Sequence, residues 1–238
     1  EIEAHVRKWV NEIIIGLNLC PFAERSARGF HKFKDAKGAE QKRPLLDICV
    51  IRERDDEDII HWVVVELMKQ QGRPGTTLVV CPECHPDDFE AFYDVVGTLE
   101  QNVLHDAKLE GVLQIAPFHP LFRFEGSPDD EDGDSGDHVD NWTNRSPYPI
   151  FHILREDEVE QAVNMLDGDA GRVWKRNVNL LHAIRDNLGM KALERLYRHE
   201  FDGEEDQQQL QTLLRNFKVE MAKRGSMSND GSEDDESP

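Results

Sequence analysis

The amino-acid sequence predicts an α/β protein: a small, mainly parallel or mixed sheet of four to five strands with helices packed on it, plus C-terminal helices. Strand-like and helix-like segments alternate through most of the first two-thirds of the chain, which is typical of right-handed βαβ units. The last part of the chain shows helical periodicity. With 238 residues, 38% of them hydrophobic, the chain is long enough for one substantial domain with its own core.

Apolar spacing assigns each element in turn. The first helix is predicted at 4–15, where Val6, Val10 and Ile13 recur near helical spacing. Asp88 stands where a helix N-cap belongs, ahead of an amphipathic run. Apolar runs rich in β-branched residues predict four strands, at 45–52, 76–80, 111–118 and 150–155.

The remaining helical stretches differ in their polar surface. The helix predicted at 56–70 has so few polar residues that we expect it to be buried on most sides. An antiparallel pair is expected where the third and fourth strands meet, and a short extended piece is expected at 122–124. The other predicted helices cover about 159–166, 174–189, 193–197 and a last amphipathic run through Leu210 and Phe217.

Three segments are set apart by composition. The basic, polar stretch at 24–44 is expected to be a mobile surface loop. Residues 125–140 hold eight acidic residues, and we expect a disordered acidic insertion there. The chain is divided into a single α/β domain at 1–201, an appended amphipathic helix at 202–222 and a disordered acidic tail at 223–238.

The charge of the chain bounds its partners. The formal charge is −20, from 28 Lys and Arg against 48 Asp and Glu. Such acidity argues against nucleic-acid binding and against adhesion to anionic membranes. Residues 125–140 account for −8 and residues 202–238 for −6, which leaves −6 for the rest of the chain. The folded domain is therefore mildly acidic, and a local site for a small anionic molecule is compatible with it.

The cysteines and the lengths of the apolar runs limit the cellular compartments in which the chain is expected. No apolar run approaches the roughly 20 residues that cross a bilayer, so we expect no membrane partner. Four cysteines in a chain of this length do not resemble the disulfide framework of a small secreted domain, and reduced thiols are expected. The chain begins at Glu1, so we expect an upstream segment, and the compartment stays undetermined, with a soluble intracellular or organellar location favoured over secretion.

The segment 141–149 is dense in polar side chains between the acidic insertion and an apolar strand. Its two prolines stiffen the backbone. Asn144 and Arg145 offer an amide and a forked guanidinium, a pair suited to gripping a carboxylate or phosphate. The alternative is a structural loop in which Arg145 pairs with a nearby acid and Asn144 caps a turn, and for an isolated loop this alternative is favoured.

Two histidines are candidate general bases. His119 follows the third predicted strand, where open α/β sheets place their binding crevice. His152 alternates with Ile150 and Leu154 in the fourth strand, so on its own it is expected to be a core histidine. If both converge on the loop 141–149, they supply an imidazole base beside an anion clamp.

Cys20 is a candidate nucleophile with a plainer alternative. It follows the first helix, and a thiol near a helix C-terminus gains nothing from the helix dipole. A buried small hydrophobe is therefore the default interpretation. Cys20 becomes a nucleophile only if His119 or His152 lies within hydrogen-bond reach of it.

The motif Cys81-Pro-Glu-Cys84-His85 has the spacing of c-type haem attachment, but it ends an apolar strand and no axial methionine segment is evident. A partial zinc or redox site is favoured over haem, although a complete structural zinc site normally has a second pair of ligands. Two surface thiols are the commonest outcome, and no metal ligand is assigned. The acidic insertion fails the EF-hand pattern, so no calcium site is assigned there either.

Several blocks of sequence resemble one family. They are Gly16 to Ala23, Val112 to Pro120, Phe122 to Gly126, and Asn141 to Pro149 running on to Glu156. Together they resemble the bacterial domain-of-unknown-function family numbered fourteen-fifteen over residues 4–190. The resemblance implies a common fold without an assigned chemistry. It also implies that six candidate residues belong to motif blocks: Cys20, His119, Asn144, Arg145, His152 and Glu156. The Cys81 to His85 motif lies outside those blocks.

These observations lead to three functional hypotheses. In the first, the chain is an enzyme of unassigned reaction. Arg145, Asn144 and Glu156 would bind a small anionic or carboxylate-bearing substrate. His119 or His152 would be the base, and Cys20 the nucleophile. In the second, the chain is a non-catalytic adaptor that docks a basic protein partner through its acidic segments and last helix. In the third, it is a Cys/His metal-binding protein. The sequence identifies no cofactor.

Overall fold

A computed structural model describes residues 1–124, 138–165 and 169–228, and the side chains of all of these except 170 and 224–228. The chain forms two compact units, Glu1–Asn177 and the residues from Val178 onward. Most of the predicted acidic insertion and the last ten residues of the predicted tail lie outside the described residues. The predicted domain limits stay predictions.

The first unit contains all the strands of the described residues. They are β1 (Phe30–Lys34), β2 (Glu40–Pro44), β3 (Leu46–Val50), β4 (Thr76–Val80), β5 (Leu113–Phe118) and β6 (Ile150–Arg155). Its helices are α1 (Ile2–Trp9), α2 (Ala23–Arg28), α3 (Asp56–Gln71), α4 (Phe89–Thr98), α5 (Leu104–Asp106) and α6 (Glu156–Asn164). Two π-helical turns, Val10–Ile15 and Leu99–Val103, continue α1 and α4. The predicted α/β class is confirmed.

The main sheet has four strands in the order β3-β4-β6-β5. β3 and β4 are parallel, whereas β6 is antiparallel to both of its neighbours. The expected antiparallel pair between the third and fourth predicted strands is confirmed. The sheet is mixed and not mainly parallel, because β6 lies between β4 and β5 and separates two strands that run in the same direction.

The hydrophobic core lies between one face of this sheet and the helices α3 and α4. Ile59, Val63 and Leu67 of α3 contribute to it, together with Phe92 of α4 and Phe151 of β6. On the opposite face, the Trp9 ring of α1 packs edge-on against Phe118 of β5, with 5.6 Å between ring centroids. Both faces of the sheet are therefore covered by helices, as expected for α/β folds.

Carboxylate caps fix the starts of α3 and α4. Asp55 accepts hydrogen bonds from the backbone N–H groups of Glu57 and Asp58, and Asp88 accepts one from Ala91. The expectation that α3 is buried on most sides is wrong, since Trp62 is 45% exposed and Met68 is 52% exposed. One stripe of α3 suffices to cover the sheet, so its remaining apolar residues face outward.

The predicted mobile loop at 24–44 is instead structured. It forms α2 and an antiparallel hairpin of β1 and β2. Asp35 closes the hairpin turn by accepting hydrogen bonds from the backbone N–H groups of Lys37 and Ala39. Backbone pairing and this turn, rather than an apolar face, define the hairpin, so hydrophobic periodicity could not indicate it. The piece predicted at 122–124 is irregular, and Phe122 packs on Phe124 instead of joining a sheet.

The second unit begins within α7 (Ala170–Leu188) and continues with α8 (Met190–Tyr197) and α9 (Glu204–Ser228). Arg195 of α8 pairs with Asp206 of α9 at 2.6 Å. The helix α9 runs to Ser228, past the predicted end at 222. Among the described residues, no helix combines the length and the apolar character that a membrane span requires.

Gly75 should be indispensable to the start of β4. Its φ is +93°, and a Cβ atom added there would lie 2.2 Å from the backbone oxygen of Leu45. The substitution Gly75→Ala should therefore lower the free energy of unfolding by about 2–4 kcal/mol, measured by chemical denaturation. Gly38→Ala is the matched control, because Gly38 has a φ of +80° with nothing within 4 Å of the added Cβ. It should cost about 1 kcal/mol, and equal losses would contradict the steric explanation.

Candidate functional site

The topology gathers polar side chains at one edge of the main sheet. β3, β4 and β5 run in the same direction and end there, and the antiparallel β6 begins there. Two backbone hydrogen bonds hold the segments at this edge together: Cys81 N–H donates to Pro149 O, and His119 N–H donates to Asn144 O. The turn after β4, the end of β5 and the loop before β6 are thus neighbours.

Three potential metal ligands lie together at this edge. Asp56, Cys84 and His85 each offer a ligand atom, and these atoms all lie within 4.8 Å of one another. Asp56 comes from the first turn of α3, and its Oδ1 lies 2.9 Å from His85 Nε2. Cys84 N–H donates to Cys81 O, which closes the turn after β4, and His85 follows in the left-handed region with a φ of +50°.

The prediction of two surface thiols is wrong, because Cys81 and Cys84 are both buried under the turn after β4. Burial and then the charge of Asp56 raise the pKa of Cys84 to about 12. Burial, assisted by Cys84, also raises the pKa of Cys81. Neither cysteine has the electropositive surroundings that activate a nucleophilic thiol. A bound cation could displace the Cys84 proton, so the cluster suits metal ligation better than nucleophilic attack.

His119 is fully buried behind the cluster. Its Nδ1 accepts a hydrogen bond from the backbone N–H of Leu121, so its Nε2 carries the proton and donates to His85 O at 3.0 Å. The ring stacks on Phe92 with 4.9 Å between centroids. Both ring nitrogens are engaged within the protein. The arrangement supports a structural role for His119, and its predicted role as a base stays untested.

Desolvation keeps the His119 ring neutral. Burial lowers its pKa to about 4, and the charge of Arg145 acts in the same direction. The hydrogen bond to His85 and the carboxylates of Asp88 and Asp87 oppose this change without reversing it. Arg145 directly follows Asn144, whose backbone oxygen accepts the hydrogen bond from His119 N–H, so the two residues belong to adjoining segments.

The loop before β6 combines a structural amide with a placed guanidinium. Asn144 Nδ2 donates to Pro117 O, and Asn144 Oδ1 accepts from the Thr143 hydroxyl, so this amide holds the loop against β5. The Arg145 guanidinium lies over the Trp142 ring, 4.8 Å from its centroid. Anion binding by the pair stays a prediction, and Arg145 is the member better placed for it.

The structure does not bring His152 to this edge with His119. Phe151 and Ile153 belong to the core under α3 and α4, so strand alternation turns His152 to the opposite face of the sheet. Thr76 Oγ1 donates to Ile153 O and lies 2.7 Å from His152 Nε2, which therefore carries the ring proton. Burial lowers the pKa of His152 to about 4.

The other two predicted site residues, Cys20 and Glu156, are not members of the cluster. Cys20 is exposed by surface area, yet the protein packed around its thiol raises its pKa, and backbone N–H groups of Phe22 and Ala23 only partly offset this. Glu156 follows the end of β6, and its Oε1 accepts a hydrogen bond from Gly111 N–H ahead of β5. It therefore lies at the opposite edge of the sheet, away from Arg145.

Sequence reasoning missed Asp56. It stands six residues after β3, at the start of α3, so it occupies the same edge as the turn after the parallel neighbour β4. The rule that ligands bind at the carboxyl ends of parallel strands could have paired it with Cys84 and His85.

The low pKa of His152 should make folding sensitive to acid. The ring has a pKa of about 4 when folded and about 6.5 when unfolded, so between these values the unfolded chain binds the extra proton. Stability should thus fall as the pH drops from 6.5 to 4, by about 1.4 kcal/mol per pH unit for this group. Denaturation across this range should show a steeper loss for the native chain than for His152→Gln. Equal slopes would contradict the desolvation of this ring.

Comparison with known proteins gives a family without an assigned activity. The family model described as "Protein of unknown function (DUF1415)" matches residues 1–191. No curated protein and no solved structure matches the chain. The match spans the whole first unit and the edge that carries the cluster, and it confirms the family resemblance found in the sequence blocks. The chain belongs to the family of proteins of unknown function DUF1415.

Proposed function

We propose that this chain is a metal-dependent enzyme that holds a zinc-like divalent transition metal through Asp56, Cys84 and His85. The observation that carries this proposal is the convergence of the three ligand atoms within 4.8 Å at the carboxyl edge of the parallel strands. This edge is where α/β sheets place their ligands. The proposal favours the metal-binding hypothesis over the sequence-based choice of no metal ligand.

The donor set selects the class of metal. A thiolate, an imidazole and a carboxylate together suit borderline ions such as Zn²⁺ or Co²⁺, whereas Mg²⁺ and Ca²⁺ prefer oxygen ligands alone. Within the described residues, the cluster has three such ligands. Three protein ligands with an open position are typical of catalytic zinc sites, while structural sites use four. The open position would admit water or substrate and supply Lewis-acid chemistry.

Neighbouring hydrogen bonds support the three ligands. The buried His119 ring holds the His85 carbonyl, which fixes the turn that carries both Cys84 and His85. Asp56 lies against the His85 ring before any metal is present. Such surrounding contacts orient metal ligands and are commonly worth about 10- to 100-fold in metal affinity.

Arg145 connects the metal proposal with the anionic substrate inferred from sequence. Its charge acts on His119, and His119 in turn contacts the backbone of His85. The cation would polarise a substrate oxygen while Arg145 pairs with a carboxylate or phosphate on the same molecule. A small anionic substrate is the class that this edge would accept. A nucleophilic Cys20 and the adaptor hypothesis stay predictions, the latter because most of the acidic insertion is outside the described residues.

Cobalt binding tests the metal site directly. The purified chain should bind one equivalent of Co²⁺ and show a thiolate-to-cobalt charge-transfer band in the near ultraviolet, with d–d intensities of a four- or five-coordinate ion. Cys84→Ser should abolish the charge-transfer band, since the sulfur ligand is lost. Asp56→Asn and His85→Gln should each weaken binding by about 10-fold or more, measured by chelator competition.

Two control variants keep this test specific. Cys49→Ser removes a cysteine outside the cluster, and its band should stay intact. His105→Gln removes a histidine that pairs with Glu110 at 3.2 Å without a cysteine nearby, so binding should be unchanged. A charge-transfer band that survives Cys84→Ser, or native affinity in all three ligand variants, would overturn the proposal. Thermal unfolding of every variant separates lost ligation from lost folding.

Metal binding should release the thiol proton. Because burial and Asp56 raise the pKa of Cys84 to about 12, the metal-free group is a thiol near neutral pH and ligates as a thiolate. The metal affinity should therefore rise about tenfold per pH unit between about pH 7 and 9. Calorimetry in buffers of different ionisation enthalpy should count about one proton released per metal. A pH-independent affinity would show that Cys84 does not ligate.

A further inference from the structure

The hairpin of β1 and β2 concentrates positive charge in an acidic protein. Residues 24–44 carry seven Lys and Arg against three acidic residues, within a chain whose formal charge is −20. The pairing register shows how these charges are arranged, because directly opposite residues of an antiparallel pair share a face. Phe30 lies opposite Pro44, Lys32 opposite Lys42, and Lys34 opposite Glu40.

One face of the hairpin is therefore a lysine surface with an aromatic ring. We call it the lysine face, and it consists of Phe30, Lys32, Lys34, Glu40, Lys42 and Pro44. Every residue of this face is exposed. The other face carries His31 and Phe33, which are half-buried and stacked, and Arg43, which lies over the Phe33 ring. The cations of the lysine face are all lysines.

The lysine face stores electrostatic repulsion. Lys32 and Lys42 are directly opposite each other, a like-charge pair that destabilises a two-stranded ladder. Glu40 offsets only the lysine opposite it, Lys34, at the turn end of the hairpin. A two-stranded hairpin is marginally stable on its own, so this repulsion lowers its stability further. A polyanion laid along this face would relieve the repulsion.

Phe30 adds an apolar contact to the same face. Its ring is 54% exposed, and Lys42 Nζ lies over the ring in a cation–π contact, 4.9 Å from its centroid. An exposed aromatic ring among lysines is the combination that single-stranded nucleic acids bind: phosphates pair with the cations and a base stacks on the ring. An acidic peptide would use the cations and leave the ring without a planar partner.

We propose that the lysine face is a docking surface for single-stranded nucleic acid, independent of the metal site. Lysine acts as a point charge that can pair with successive phosphates, and the exposed Phe30 ring offers a base the stacking contact that an acidic peptide would not use. The charge of −20 does not forbid this local contact. Residues 125–140 and 202–238 carry −14 of it, whereas residues 24–44 carry seven Lys and Arg against three acidic residues, a local excess of +4. The sequence-based expectation against nucleic acid concerned the chain as a whole.

Fluorescence anisotropy of a labelled single-stranded oligonucleotide of about 12 nucleotides tests this proposal with the full chain. Three lysine contacts should give a slope of about −2 for the logarithm of the binding constant against the logarithm of salt concentration. The triple variant Lys32→Gln, Lys34→Gln, Lys42→Gln should lose binding. A control triple variant, Lys8→Gln, Lys175→Gln, Lys191→Gln, removes the same charge elsewhere and should bind like the native chain.

Two further measurements make the test decisive. Phe30→Ala should lower the affinity at least about fivefold and leave the salt slope unchanged, because stacking is lost and phosphate contacts stay. The lysine-face triple variant should unfold at the same temperature as the native chain or higher, because the Lys32 and Lys42 repulsion is removed. Equal loss of binding in both triple variants, or tighter binding of a poly-glutamate peptide of matched charge, would overturn the proposal. The latter outcome would identify an acidic protein as the partner instead.

Discussion

The antiparallel pairing of β6 with both β4 and β5 is the constraint on which the rest of this structure depends. β6 is a central strand, and its Phe151 and Ile153 are fully buried in the core under α3 and α4. Because β6 runs against its neighbours, its start lies where β4 and β5 end. The loop before β6 is thereby fixed beside the turn after β4, as the hydrogen bond from Cys81 to Pro149 shows. A parallel β6 would place that loop at the other edge of the sheet.

The buried His119 ring converts this strand arrangement into a defined local geometry. Its Nδ1 accepts a hydrogen bond from the Leu121 N–H, its Nε2 donates one to the His85 carbonyl, and the ring stacks on Phe92. Burying an imidazole is costly unless its nitrogens are paired, and here both are. The neutral ring thus behaves as a rigid spacer that holds His85 in its left-handed conformation. Its hydrogen bonds support a positioning role at the candidate site.

Much of the fold was accessible from sequence, since apolar patterns define buried strands well. The strands 76–80 and 150–155 were predicted with the bounds that the structure has. The hairpin was not, because its residues face solvent on most sides and its pairing depends on a turn closed by Asp35. The placement of β6 between β4 and β5 is a long-range choice that no local pattern contains.

The candidate site was less accessible for the same reason. The argument from strand ends pointed to the edge at which His119 and the loop 141–149 adjoin, although their joint role in a site stays a prediction. His152 and Glu156 were grouped with them because they share motif blocks close to the loop 141–149 in sequence. In the structure, His152 turns to the opposite face of the sheet, and Glu156 lies at the opposite edge. Asp56 was missed because a carboxylate at the start of a helix also has a purely structural explanation, namely its favourable interaction with the helix dipole.

The distribution of charge separates two kinds of surface on one chain. At the sheet edge, the carboxylate of Asp56 lies close to the thiol of Cys84 and raises the pKa of that thiol, an effect that a bound cation would counter. On the hairpin, the positive charges of Lys32 and Lys42 lie directly opposite each other, and a bound anion would reduce their repulsion. The two proposed sites are therefore independent of each other, because the sheet edge would bind a cation and the hairpin would bind an anion.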